Sequence, residues 1–119
     1  MYELIFYEDS HGRKPVLDFI RELESTSGKD SRVRLKKVLE YMRVLRAYGV
    51  AAGEPYIKHL EKDIWELRPT GDRILFAGVV GGRFVLLHTF RKQTQKTPRR
   101  EIDKAISELK DFTERSGLK

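Results

Sequence analysis

Three runs between residues 64 and 91 leave this chain little freedom in what it can fold into. IWELR (64–68), RILFAGVV (73–80) and RFVLLHTFR (83–91) are dense in branched and aromatic residues that suit a pleated, half-buried strand. Pro69-Thr70-Gly71-Asp72 and Gly81-Gly82 separate them, and both breaks have hairpin-turn chemistry. A two-residue turn at Gly81-Gly82 sets Val80 opposite Arg83, Leu75 opposite His88 and Arg73 opposite Phe90. A four-residue loop at 69–72 sets Arg68 opposite Arg73 and Glu66 opposite Leu75. Directly opposed residues share a face. One face, the expected core face, then carries Trp65, Leu67, Ile74, Phe76, Val85 and Leu87. The other carries Glu66, Arg68, Arg73, Leu75, His88 and Phe90 at one end, with Ile64, Ala77, Val79, Phe84 and Leu86 at the other.

The flanking segments change period. YELIFY (2–7) reads as a strand, and YIKHL (56–60) as a short extra edge strand. Pro15 suits a first helical turn, and Val16, Phe19, Ile20 and Leu23 recur at helical spacing after it. STSGKDS (25–31) ends that helix, and Leu35, Val38, Leu39, Met42 and Leu45 mark the apolar face of the next. A last helix is predicted with Thr97 as N-cap, Pro98 at its first position and the stripe Ile102, Ala105, Ile106, Leu109 and Phe112. The expected fold is one α+β domain over residues 1–119: an antiparallel sheet with an N-terminal strand, a helical hairpin and a C-terminal helix. In order it reads β-α-α-β-β-β-β-α.

Composition narrows the chemistry. With no cysteine, disulfides, thiolate metal sites and cysteine nucleophiles are excluded. His11, His59 and His88 are scattered without ligand spacing, so neither a metal nor a cofactor is expected. No apolar run approaches membrane-spanning length, so a cytoplasmic protein with no membrane partner is expected. The net charge of +6 favours an acidic partner, nucleic acid among them. That charge concentrates in HTFRKQTQKTPRR (88–100), where Arg91, Lys92, Lys96, Arg99 and Arg100 have no acidic residue among them. Two arginines directly opposed, Arg68 and Arg73, repel unless an anion or a carboxylate lies between them. Glu66 can fill that gap, which would make this an ordinary neutralised sheet face; a bound phosphate is the competing reading. The cations of the second helix read mainly as its solvated side.

The same residues carry a resemblance. Lys58-His59-Leu60, Ile64-Trp65-Glu66-Leu67-Arg68, Arg73-Ile74-Leu75-Phe76 and Leu87-His88-Thr89-Phe90-Arg91-Lys92-Gln93-Thr94-Gln95-Lys96-Thr97-Pro98 resemble the phage-derived HigB-like branch of the RelE/ParE toxin superfamily. Two departures stand out: Gln93 replaces a lysine of that pattern, and no tyrosine follows Tyr56. The resemblance implies a RelE-like fold and the toxin of a type II toxin–antitoxin pair. It further implies a metal-independent, ribosome-dependent mRNA endoribonuclease whose partners are mRNA, the ribosome and a helix-turn-helix, HigA-like antitoxin. Arg68, Arg73, His88, Lys92 and Lys96 match the family's active positions. Lys58, Glu66, Arg91, Arg99 and Arg100 are the expected RNA-binding residues around them.

Cutting RNA without a metal needs a base for the 2′-hydroxyl, positive charge on the phosphorane-like transition state and an acid for the leaving oxygen. Arg73 and Arg68 have the forked donors to hold the phosphate, with Glu66 orienting them. His88, as an imidazole, is one proton-transfer candidate, and its register opposite Leu75 equally allows a merely packed ring; Lys92 and Lys96, crowded by other cations, are the other candidates. A ParE-like gyrase inhibitor and a non-catalytic nucleic-acid-binding module fit the same basic patch and stay open.

Overall fold

The computed structural model describes residues 1–117. The elements are β1 (Glu3–Phe6), α1 (Pro15–Ser25), α2 (Lys29–Tyr48), a short 3-10 turn (Gly49–Ala52), β2 (Ile57–Glu61), β3 (Ile64–Leu67), β4 (Asp72–Val79), β5 (Arg83–Arg91) and α3 (Arg99–Ser116). They form one sheet in the order β1-β5-β4-β3-β2. Strands β2 to β5 make the expected antiparallel meander, and β1 joins β5 in parallel. The predicted α+β order is thus the observed one. Among the described residues, no helix is long and apolar enough to cross a membrane.

Both faces of the sheet are covered, not one. The α1–α2 hairpin brings Val16, Ile20, Leu23, Val38 and Leu45 against Leu67, Ile74, Phe76, Phe84 and Leu86. Helix α3 brings Ala105 and Phe112 against Ile64, Leu75, Ala77, Val85 and Leu87. Burial of each such side chain contributes roughly 1.5–3 kcal/mol, so each layer is held mainly by its apolar contacts.

The hairpin between β4 and β5 departs from expectation in a way that explains the faces. Its connection is Val80-Gly81-Gly82, longer by one residue than a Gly81-Gly82 turn, and Val79 rather than Val80 faces Arg83. Gly81 and Gly82 both take positive φ, +84° and +70°, which glycine adopts without strain. Farther along, a bulge on β5 takes up the extra residue, and Leu75 faces His88 and Arg73 faces Phe90 as the spacing predicts. Between turn and bulge the alternation is inverted. Phe84 and Leu86 therefore join Ile74 and Phe76 under the hairpin of helices, while Val85 and Leu87 turn to α3, the reverse of the predicted assignment. The β3–β4 register, Glu66 with Leu75 and Leu67 with Ile74, is as predicted.

Candidate functional site

The end of the sheet beyond the bulge positions the polar residues. Strands β3 and β4 bring Glu66, Arg68 and Arg73 to the α3 side, and Lys58 of β2 faces Glu66 across the strand pair. Glu66 is the hub. It is 1% exposed, and its Oε1 lies 3.4 Å from Arg68 Nε and 3.7 Å from Arg73 Nε. Its Oε2 accepts a 2.5 Å hydrogen bond from Thr97 Oγ1. The carboxylate that opposed arginines require is thus supplied from within the sheet, leaving one net positive charge on the three side chains.

The two arginines are not equivalent. Arg73 is 5% exposed, and its Nη1 donates to the carbonyls of Thr70 and Asp72, so it props the β3–β4 turn from beneath. Burial pushes its pKa down, and Glu66 opposes that shift. Arg68 lies nearer the surface. It pairs loosely with exposed Glu54 at 3.6 Å, and its buried Nε has no aligned hydrogen-bond acceptor among the described residues.

Around the hub lies the 92–97 segment. Lys92 is half-buried, its backbone N–H held by the carbonyl of Gly71 at 3.0 Å. Lys96 is exposed, and with Lys58, His59, Leu60, Gln95, Thr97 and Ile102 it bounds a cavity of about 340 Å³ beside β2. Thr97 is not the helix cap: α3 begins at Arg99 after Pro98, and the threonine hydroxyl reaches back to Glu66 instead. Arg91 sits on the far side of the β3–β4 turn, 3.0 Å from buried Asp72. Arg99 is occupied by Glu61 and Asp103 and Arg100 is exposed near Glu101, so both stand on the outer side of α3's first turn. The hydrogen bonds from Arg99 hold the Glu61 carboxyl below the usual range.

His88 is separated from this surface. The ring is 2% exposed, with Nδ1 2.5 Å from Glu108 Oε1 and Nε2 3.0 Å from Glu101 Oε1. Both nitrogens are engaged by α3, and the imidazole ties that helix to β5. Expectation named the histidine but neither glutamate. Their spacing held the signal: Glu101 and Glu108 lie in phase with Ala105 and Phe112, on the stripe that faces the sheet. Asp72 was also missed. It is 1% exposed and accepts two bonds from Arg34 of α2, at 3.1 and 2.8 Å, as well as pairing with Arg91. Arg34 is therefore not part of a solvated side, and its bond to Asp72 raises its pKa. A turn aspartate gives no sequence sign of such a role. Among the described residues, no group of three His, Asp or Glu side chains is arranged to hold a metal ion.

The arrangement suits binding of an anionic chain: a partly exposed Arg68 on Glu66, with exposed Lys58 cross-strand from that glutamate and Lys96 on the same cavity as Lys58. Comparison with curated proteins gives no match. A family model does match: that of the phage-derived protein Gp49-like family, over residues 18–110. The chain belongs to this family, which lies within the RelE/ParE-like toxin superfamily and is tied to toxin–antitoxin systems.

Proposed function

We propose that this Gp49-like chain is the toxin of a type II toxin–antitoxin pair and acts as a HigB-like endoribonuclease on mRNA at the ribosome. The observation that carries the reading is the pair of arginines on buried Glu66, with Arg68 the more exposed of the two and Lys58 cross-strand from the glutamate. In this reading Arg68 receives the scissile phosphate. Arg73 positions Arg68 through Glu66 and holds the turn. Lys58, Lys92 and Lys96 supply further phosphate contacts.

The reaction itself is an internal transfer. The 2′-oxygen bonds to phosphorus as the bond from phosphorus to the 5′-oxygen breaks. One proton leaves the 2′-hydroxyl and one arrives on the 5′-oxygen, giving a 2′,3′-cyclic phosphate and a 5′-hydroxyl. In this reading Lys92 and Lys96 transfer the protons, and His88 acts through α3 as a positioning residue. The partners are mRNA, the ribosome and a helix-turn-helix, HigA-like antitoxin in the cytoplasm.

The test is mapping of mRNA 5′ ends after induced expression, with and without ongoing translation. New ends in translated messages, lost in Arg68→Ala and in Lys92→Ala/Lys96→Ala, are expected. Growth arrest with DNA-damage signalling and intact mRNA would replace this reading with gyrase inhibition. Tight RNA binding without new ends would leave a binding module.

A further inference from the structure

The cavity of about 340 Å³ beside β2 holds three residues for which phosphate contacts have no use: Leu60, Gln95 and Ile102. Its walls are of two kinds. Leu60 of β2 and Ile102 in the first turn of α3 are half-buried and apolar, whereas Lys58, Gln95 and Lys96 are exposed and polar. Thr97 bounds it as well, and the hydroxyl bond from Thr97 to Glu66 makes that wall common to the cavity and the arginine cluster.

Ile102 shows that the cavity is more than a gap in the packing. It begins the apolar stripe of α3, and farther along that stripe Ile106 and Leu109 pack on the core beneath the helix. Among the described residues Ile102 lies outside that core and borders the cavity instead. An isoleucine left half in water forgoes part of the gain from burial, and a ligand with an apolar surface recovers it.

The polar side is equally uncommitted. Among the described residues, the side chains of Lys58, Gln95 and Lys96 have no hydrogen-bond or ion-pair partner. His59 differs: its Nε2 lies 2.6 Å from the Lys62 carbonyl and its ring rests on Trp65, with 4.6 Å between centroids. The groups left for a ligand are therefore two aliphatic side chains, one carboxamide and two ammonium groups. An unpaired nucleobase with its phosphate matches all of them. Its faces are apolar, its edge carries donors and acceptors, and its phosphate carries the negative charge. The Gln95 carboxamide donates and accepts at once, which an ammonium cannot do. Phosphate contacts hold an RNA strand without reading it, whereas contact with a base edge reads it. The volume is at the small end of ligand sites, which suits one base.

We propose that this cavity receives one unpaired base of the RNA strand held at Arg68 and that Gln95 selects which base enters, an inference that rests on the RNA reading above. The base lies against Leu60 and Ile102, its edge meets Gln95, and Lys58 and Lys96 take its phosphate. Lys58 faces Glu66 across the β2–β3 pair, so this nucleotide is close along the strand to the one on Arg68.

The test is the base composition around 5′ ends mapped after induction of the full chain, compared between the unaltered protein and Gln95→Leu. It is paired with the affinity of the purified chain for short single-stranded RNAs that differ at one base. The unaltered protein should favour one base by about fivefold or more at a single position fixed relative to the cut, the low end for one base-edge contact. Gln95→Leu should level that position to within about twofold. Ile102→Trp, which fills the cavity, should level it too, and thermal unfolding matching the unaltered protein checks that both variants are folded. A preference that survives both substitutions, or no preference in the unaltered protein, would overturn the proposal. The nuclease reading fails separately. Base preference in short RNAs that Gln95→Leu removes, without any new mRNA ends, keeps the base site and sinks the nuclease. New ends with the same preference in Gln95→Leu keep the nuclease and sink the base site.

Discussion

Positive charge is handled in opposite ways on the two sides of the sheet. On the α3 side Arg68 and Arg73 share buried Glu66, and at the strand end Arg34 and Arg91 share buried Asp72. Along α2, Arg32, Lys36, Arg43 and Arg46 stand in water. A cation with a buried partner is part of the fold, because removing the partner strands a charge where water cannot reach it. A cation without one contributes little to the fold and is available to whatever approaches. The same residue types thus do structural work in one region and are free for recognition in the other.

The comparison breaks first at Glu66. Glu66→Ala should lower the unfolding free energy by about 3–5 kcal/mol in a denaturant titration, the scale for stripping one partner from a buried ionic cluster. A loss below about 1 kcal/mol would mean that solvent already neutralises Arg73. His88→Ala comes next. It leaves Glu101 and Glu108 without the ring they share, for an expected loss of about 2–3 kcal/mol by the same measurement. Toxicity should fall with it and return in part with His88→Gln if the ring only positions α3; full loss in both variants at unchanged stability would reinstate a chemical role.

Smaller effects sharpen the contrast. Burial and the 2.6 Å hydrogen bond to Asp111 push the Tyr7 hydroxyl up to about 12 from its ordinary 10. The folded state therefore favours the neutral phenol. Its contribution is complete below pH 10 and drains away as pH rises toward 12. Stability should fall across that window more steeply in the unaltered protein than in Tyr7→Phe, and equal slopes would exclude Tyr7 as the source. Least of all, Arg43→Ala/Arg46→Ala should shift unfolding by no more than about 0.5 kcal/mol. A larger shift would show that the α2 stripe belongs to the fold after all.

Much of this was legible because strand pairing is arithmetic. Opposing Glu66 to Leu75 and Leu75 to His88 required only turn lengths, and it correctly put Glu66, Arg68, Arg73 and His88 on one face. The bulge on β5 was not legible, since nothing in FVLLHTF marks where two residues will face one. It cancelled the extra turn residue, so the register was right at His88 and the faces of Val85 and Leu87 were inverted. The site was read less fully for a different reason. Its partners come from distant segments, Thr97 to Glu66 and Arg34 to Asp72, and such pairings leave no local pattern. Basic residues were visible as charge; whether each was already spoken for by a carboxylate was not.

The 92–97 segment is fastened at both ends, by the Lys92 amide on Gly71 and by the Thr97 hydroxyl on Glu66, with Thr94 bonded across to the Lys96 carbonyl at 3.0 Å. A loose connector of this length would surrender about 1–2 kcal/mol of backbone entropy per residue each time a ligand ordered it. Here folding has already removed most of that freedom, once, for every later encounter. Lys92 and Lys96 are carried on a short bridge instead of a whip, so an arriving polyanion meets a surface whose shape is already set.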